Sequence, residues 1–134
     1  MFMMGDMMMS GTMPMAGLDA MDGMDMDKIQ KCMEACSACE QACTMCADMA
    51  GDGMRMSMSM CLDCADMANT MMRMMLRPMG MHTPSMMAMC QAMITMAKAC
   101  ADECMKHADT MPTMAMCAQA CTECASACEA MMAA

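Results

Sequence analysis

A stripe of five cysteines early in the regular part of the sequence is spaced by steps of 4, 3, 4 and 3 residues. Residues three or four apart lie on one face of an α-helix, whereas a β-strand brings alternate residues to one face. The spacing therefore predicts a helix with a continuous line of thiols on one side. The five residues are Cys32, Cys36, Cys39, Cys43 and Cys46.

Three later segments repeat this spacing and complete the predicted architecture. Glycine and proline interrupt the pattern at residues 51–53, 77–80 and 110–112, where helices are expected to stop or start. Thr83 is the expected N-cap of the third helix, with Pro84 at its first position. Four helices with short connections predict an all-α, antiparallel up-down-up-down four-helix bundle. The expected helices span about residues 27–50, 56–77, 84–107 and 111–132.

The first 27 residues differ from this pattern. They hold eleven Met, four Gly and no basic residue, without a helical period, and a composition of this kind predicts a disordered tail. The expected organisation is a flexible tail rich in Met, Asp and Gly over residues 1–27, followed by the bundle over residues 28–134. Asp25 or Asp27 is suited to cap the first helix.

The core of such a bundle would contain sulfur rather than branched aliphatic side chains. All fourteen cysteines lie on the inward stripes, while Leu, Ile, Val and Phe together supply only six of the 134 residues. One or two buried cysteines can be plain small hydrophobic groups, but fourteen give up packing volume in every layer. The nine beyond the first stripe are Cys61, Cys64, Cys90, Cys100, Cys104, Cys117, Cys121, Cys124 and Cys128.

Charge and composition exclude several classes of function. A net charge of -9 with only seven Lys and Arg residues disfavours nucleic acid as a partner, and a single aromatic residue leaves no stacking platform. No apolar run approaches the roughly 18 residues of a membrane span, and no nucleophile–base pair indicates an enzyme. The start lacks the basic region of a signal peptide, so the expected location is cytoplasmic. An exported or periplasmic location applies if a leader has been removed.

A soft metal ion explains a thiol-lined core best. Copper(I) accepts two or three ligands and is selected by thiolate and thioether sulfur. Because buried thiolates need compensating positive charge, fourteen of them would hold on the order of 14 monovalent ions. The sequence therefore predicts a high-capacity Cu(I) store. Two alternatives stay open: metallothionein-like binding of Zn or Cd, and a disulfide-stapled or oxidant-scavenging structural protein.

The combined cysteine pattern resembles that of the bacterial copper storage proteins, four-helix bundles whose cores bind many Cu(I) ions. The resemblance covers about residues 28–132 and implies Cu(I) ligation by the matching cysteines and a tendency to form homotetramers. A copper chaperone or a cuproenzyme would be a further partner. The matching motifs are Cys32-x3-Cys36-x2-Cys39-x3-Cys43-x2-Cys46, Cys61-x2-Cys64, Cys100-x3-Cys104 and Cys117-x3-Cys121-x2-Cys124-x3-Cys128.

Methionine and histidine extend the expected ligand set to the ends of the bundle. The end of the second helix meets the start of the third, and there methionines replace cysteines on the stripes. We expect these thioethers to capture Cu(I) loosely before thiolates bind it tightly. The residues are Met71, Met75, Met86 and Met93, with His82 in the adjoining loop and His107 at the opposite end of the third helix.

Overall fold

The computed structural model describes residues 25–133, which form four α-helices with short connections. The helices are α1 (Met26–Met49), α2 (Arg55–Met75), α3 (Thr83–Met105) and α4 (Pro112–Met132), and a 3₁₀ helix (Pro78–Gly80) lies between α2 and α3. Each helix packs against two others, α1 and α3 both contacting α2 and α4. The predicted all-α four-helix bundle is confirmed. Most of the predicted tail, residues 1–24, lies outside the described residues.

The pairing of α1 with α4 shows that neighbouring helices run in opposite directions. The Lys28 side chain at the start of α1 donates to the carbonyl oxygen of Ala133 beyond the end of α4, at 3.4 Å. At the other end of the pair, Cys46 contacts Met114, near the start of α4. The four helices therefore form the up-down-up-down arrangement that the short connections predict.

The helix ends follow local hydrogen bonding. Asp25 is the N-cap of α1, and its carboxylate accepts the Asp27 N–H at 2.8 Å, so the predicted acidic cap is confirmed. The N-cap of α3 is His82, with Thr83 already helical, so the prediction of Thr83 as the cap is wrong by one residue. The shift is tolerated because Pro84 fits any of the first positions, whose N–H groups lack intrahelical partners.

The end of α3 differs from the expectation in a way that affects a candidate ligand. The helix ends at Met105, and the His107 N–H donates to the Cys104 carbonyl oxygen at 3.1 Å, a bond over three residues rather than four. Such bonds tighten the last turn and close a helix. His107 therefore lies in the turn after α3 and not on its inward stripe.

The connection between α1 and α2 depends on one glycine. Gly53 has a φ of +89°, in the left-handed region that residues with a Cβ rarely adopt. This conformation reverses the chain within a few residues, and α2 can start its own stripe against that of α1.

Sulfur and small side chains fill the core. All fourteen cysteines are buried, together with alanines such as Ala68 and Ala97, which have no exposed surface. Methionines occupy the core where the thiols stop. At one end, here called the methionine end, Met71, Met75, Met86 and Met93 are fully buried. The opposite end, here called the His107 end, holds Cys46, Ser57, Glu103 and Met114. Within residues 25–133, no helix has the length and the apolar character that crossing a bilayer requires.

Replacing Asp25 with alanine should lower the free energy of unfolding of the metal-free protein by about 1 kcal/mol, because the Asp27 N–H loses its partner. Urea denaturation followed by circular dichroism measures the change. Asp63→Ala, at an exposed position within α2, is the control and should stay within about 0.5 kcal/mol of the parent protein. Equal stability of the two variants would contradict the capping role.

Candidate metal centre

A ladder of thiols runs between α1 and α4. The Sγ atoms of Cys32 and Cys128 are 3.6 Å apart, and those of Cys36 and Cys124 are 3.7 Å apart. A disulfide would bring two sulfurs to about 2.05 Å. All fourteen cysteines are free thiols, so the structure is not the disulfide-stapled core that the sequence left open.

Cys43 is one of four thiols, with Cys39, Cys61 and Cys121, that each contact three other thiols. Its Sγ lies 3.5 Å from that of Cys121, 3.6 Å from that of Cys117 and 3.9 Å from that of Cys39. Because α2 and α3 add their own thiols to these layers, the contacts extend across the whole bundle. Cys39, for example, is 3.6 Å from Cys64 on α2.

Twelve of the fourteen thiols belong to four groups, and within each group all the sulfur atoms lie within 4.8 Å of one another. Three groups have four members and are linked by shared residues, and one group has three members and shares none. Cys90 and Cys124 belong to none of the four. The groups are Cys39–Cys43–Cys64–Cys121, Cys43–Cys100–Cys117–Cys121, Cys46–Cys61–Cys104–Cys117 and Cys32–Cys36–Cys128.

A thioether joins the thiol array at the His107 end. Cys46 donates through its Sγ to the Sδ of Met114 at 3.1 Å, and both side chains are buried. Sequence reasoning did not include Met114 among the candidate ligands. The spacing could have identified Met114, because it precedes Cys117 by three residues and so lies on the same stripe of α4.

His107 is held by a polar cluster rather than by the thiols. Its Nε2 lies 3.4 Å from a carboxylate oxygen of Glu103, which also accepts a hydrogen bond from the buried Ser57 hydroxyl at 2.9 Å. Lys106 contacts the other oxygen of the same carboxylate at 3.3 Å. The hydrogen bond from Ser57, with help from Lys106, lowers the pKa of Glu103. This carboxylate therefore stays charged beside the terminal thiol group.

The candidate ligands of the methionine end divide into buried and exposed ones. Met71, Met75, Met86 and Met93 have no exposed surface, whereas His82 is exposed in the loop before α3. The Nδ1 atom of His82 lies 2.6 Å from the Ser85 hydroxyl, which leaves Nε2 as the ring nitrogen that a metal could use. The structure thus brings the four predicted thioethers inside and keeps the predicted imidazole at the surface.

The electrostatics of the core favour the binding of cations. Burial raises the pKa of Cys46 to about 12, and contact with Cys128 raises that of Cys32 to about 12. Hydrogen bonds from Cys100 and Cys104 instead lower the pKa of Cys61 to about 4. Neighbouring thiols therefore stabilise the charge of some thiolates, such as that of Cys61, whereas thiols with a raised pKa, such as Cys32 and Cys46, stay neutral without metal. None of the seven Lys and Arg residues is buried, so full ionisation of the thiols requires positive charge from metal ions.

A helical bundle whose core is lined with free thiols is suited to binding many soft metal ions. Residues 25–133 match the sequence model of the copper storage protein family, and the chain belongs to this family. No curated protein sequence matches the chain.

Several solved structures are similar to this one. The copper storage protein Ccsp of Streptomyces lividans, loaded with 10 copper equivalents, matches with a TM-score of 0.86 and 28% identity over 97% of this chain and 98% of that one. A histidine-to-alanine variant of Ccsp matches with a TM-score of 0.78 and 32% identity, covering 82% of this chain and 96% of the other. A cytosolic copper storage protein from Streptomyces lividans with five coppers matches with a TM-score of 0.77 and 32% identity, covering 81% of this chain and 94% of the other.

Together, family and geometry establish the class of function. The chain is a copper storage protein and not an enzyme, and its cysteine clusters bind multiple copper ions.

Replacing Cys43 with serine should weaken the retention of copper more than replacing Cys90, because Cys43 belongs to two thiol groups and Cys90 to none of the four. The measurement is anaerobic competition of the Cu(I)-loaded variants with a Cu(I) chelator of known affinity. Cys90→Ser is the matched control, since both side chains are fully buried on inward stripes. Equal retention of copper by the two variants would show that affinity does not depend on these groups.

The metal-free protein should lose stability in alkaline solution. With its pKa raised from 9.0 to about 12, Cys46 stabilises the folded state fully below pH 9, and this stabilisation is lost as the pH rises towards 12. Thiols with lowered pKa values are ionised above pH 9 in both the folded and the unfolded state, so they do not make stability depend on pH in that range. Thermal unfolding against pH measures the effect, and Cys46→Ala should reduce its slope. The copper-loaded protein has no such thiol protons and should lack the decline; an equal decline would contradict thiolate ligation.

Proposed function

We propose that this chain stores Cu(I), with all fourteen cysteines as thiolate ligands and a capacity on the order of 14 ions. The observation that carries the proposal is the set of fourteen buried free thiols in a core without a buried Lys or Arg. One monovalent ion for each thiolate leaves such a core neutral. The ligands are the cysteines of the four inward stripes, Cys90 and Cys124 included.

Charge also favours Cu(I) over the divalent ions. Four thiolates around one Zn²⁺, the arrangement of structural zinc sites, carry a net charge of about −2, and the core has no buried cation to balance it. A core filled with Zn²⁺ or Cd²⁺ at this ratio would retain uncompensated charge in each thiol group. Copper(I) avoids this cost because its ratio to thiolate can reach one.

The methionines and histidines would adjust how copper moves between solution and store. Thioethers bind Cu(I) without losing a proton or adding charge, so Met71, Met75, Met86 and Met93 extend the sulfur array towards the methionine end as weaker ligands. His82 and His107 stand at the two ends of the bundle. The pairing of His107 with Glu103, at 3.4 Å, supports a role in which the imidazole exchanges between carboxylate and copper.

The cellular setting follows from the free thiols. Fourteen unpaired cysteines persist in a reducing compartment, and the relative from Streptomyces lividans is described as cytosolic; we therefore propose the cytoplasm. A copper chaperone or cuproenzyme would exchange metal with the store. Exposed methionines at the surface of the helices, such as Met56 and Met116 at 65% each, offer apolar area for assembly into a homotetramer.

Anaerobic titration with Cu(I), followed by native mass spectrometry, should show uptake continuing to about 14 ions, the number that neutralises the thiolates. Thiols that are protonated before loading should release their protons into a weakly buffered indicator solution. A parallel titration with Zn²⁺ is the control and should saturate at about one ion for every four cysteines. Saturation with Cu(I) at that lower number, or displacement of bound Cu(I) by Zn²⁺, would refute the proposal.

A further inference from the structure

Four methionines surround the thiol group nearest the His107 end. This group, here called the terminal thiol group, takes one cysteine from each helix, and its members are Cys46, Cys61, Cys104 and Cys117. Each member has a methionine directly beside it in the sequence. These four methionines, here called the thioether ring, are Met45, Met60, Met105 and Met116.

The other thiol groups lack an exposed methionine beside their cysteines. Among the remaining ten cysteines, only Cys32 and Cys90 adjoin a methionine in the sequence. Met33 beside Cys32 is buried, and Met89 beside Cys90 is half-buried. In the thioether ring, one member is half-buried and the exposed fractions of the other three are high: 59% for Met45, 58% for Met105 and 65% for Met116. The ring therefore presents sulfur to water next to the thiols.

Helix geometry explains why the ring faces water while the adjoining cysteines face the core. Successive residues of an α-helix point about 100° apart, so a residue beside an inward cysteine lies on the flank or the outer surface of its helix. Since each helix forms a different corner of the bundle, the ring side chains are distributed around it. A contact between copies of the chain that covers one helix leaves the ring members of the others in water. The ring is therefore not a single docking surface.

The two ends of the bundle shield their thiols differently. At the methionine end, four fully buried methionines extend the core beyond the last thiols. At the His107 end, Met114 is the one fully buried methionine within residues 25–133. Next to the terminal thiol group lies the Glu103 carboxylate, which is 12% exposed and pairs with the exposed Lys106. The terminal thiol group therefore has less apolar cover than the thiols at the opposite end.

Thioethers and thiols differ in whether the protein can recover them after oxidation. A thiol that is oxidised to sulfinic acid is generally lost, whereas methionine sulfoxide is reduced again by methionine sulfoxide reductases. Susceptibility to oxidation increases with exposure. The cysteines of the terminal thiol group are at most 1% exposed, far less than the three exposed ring methionines. An oxidant that arrives from solvent therefore meets recoverable sulfur first.

We propose that the thioether ring is a sacrificial oxidation site, which protects the terminal thiol group from two-electron oxidants of the hypochlorous acid class. The thioether sulfur displaces hydroxide from the chlorine atom, and the oxygen of a water molecule then replaces chloride on the sulfur. The sulfur is oxidised to the sulfoxide, chlorine is reduced to chloride, and one proton is released in total. Two thiols of a reductase restore the thioether as they form a disulfide, and the oxygen leaves as water. This protection needs only the thiols and the exposed thioethers, so it does not depend on the proposed copper capacity.

The test compares two triple variants of the full-length, reduced, metal-free protein under limiting hypochlorous acid. M45L/M105L/M116L removes the exposed members of the ring. M49L/M56L/M79L is the matched control, because these side chains are 54%, 65% and 51% exposed and none adjoins a cysteine. Leucine has nearly the volume of methionine, and thermal unfolding of each variant checks that the fold is kept. The methionines outside the described residues are the same in both variants.

Peptide mass mapping after oxidation locates the sulfoxides and any sulfinic acid. In the wild-type protein, sulfoxide should form at the three exposed ring methionines before any cysteine is oxidised. The ring variant should begin to lose thiols of the terminal group about three oxidant equivalents earlier, one for each thioether removed. The control variant should keep the wild-type threshold, although it lacks the same number of exposed thioethers. Equal thresholds in the two variants, or oxidised cysteine before sulfoxide in the wild-type protein, would overturn the protective role.

A second measurement tests whether the protection is reversible. Treatment of the oxidised wild-type protein with methionine sulfoxide reductases and dithiothreitol should restore the original mass and all fourteen free thiols. Sulfoxide that persists in the ring, or a lower thiol count, would contradict a recoverable site. Failure of the untreated protein to take up many Cu(I) ions would instead refute the proposed store and leave these results unchanged.

Discussion

Charge balance in a core of thiols is the constraint on which the rest of this structure depends. Fourteen sulfur atoms that can each become an anion are packed at separations such as 3.5 Å between Cys43 and Cys121, and no basic side chain is buried among them. The metal-free core can fold because most of these groups remain thiols that donate to and accept from one another. The metal-bound core can exist because bound cations offset the negative charge of the thiolates.

Small side chains make those contacts geometrically accessible. Cysteine and alanine occupy the inward positions along most of each helix, and bulkier methionines appear mainly towards the ends. A bundle of this composition buries less apolar volume than one built from leucine and isoleucine, and loses stabilisation accordingly. Bound copper restores this stabilisation, since ligand binding to the folded state adds directly to the free energy of unfolding. The storage function and the stability of the fold are therefore linked through the same residues.

The sequence predicts the part of this design that depends on helical periodicity. Steps of three and four identify the stripe of α1 from Cys32 to Cys46, and the same rule places the buried Met71 and Met86. Contacts between helices depend on the register of one helix against another, and the spacing of residues within a single helix does not predict that register. The sharing of Cys43 between two thiol groups and the contact of Cys46 with Met114 are of this kind. Helical periodicity also does not encode the conformation of loops, so the position of His107 in the turn after α3 is seen only in the folded chain.

The overlap of the thiol groups has a consequence for how tightly the protein binds copper. Because Cys43, Cys117 and Cys121 each belong to two groups, an ion bound in one group changes the ligands left for the next. Such a chain of coupled sites has no single dissociation constant; its affinity depends on how full it is. The molecule then acts as a buffer in the chemical sense, holding the free copper concentration within a range while the amount stored rises and falls.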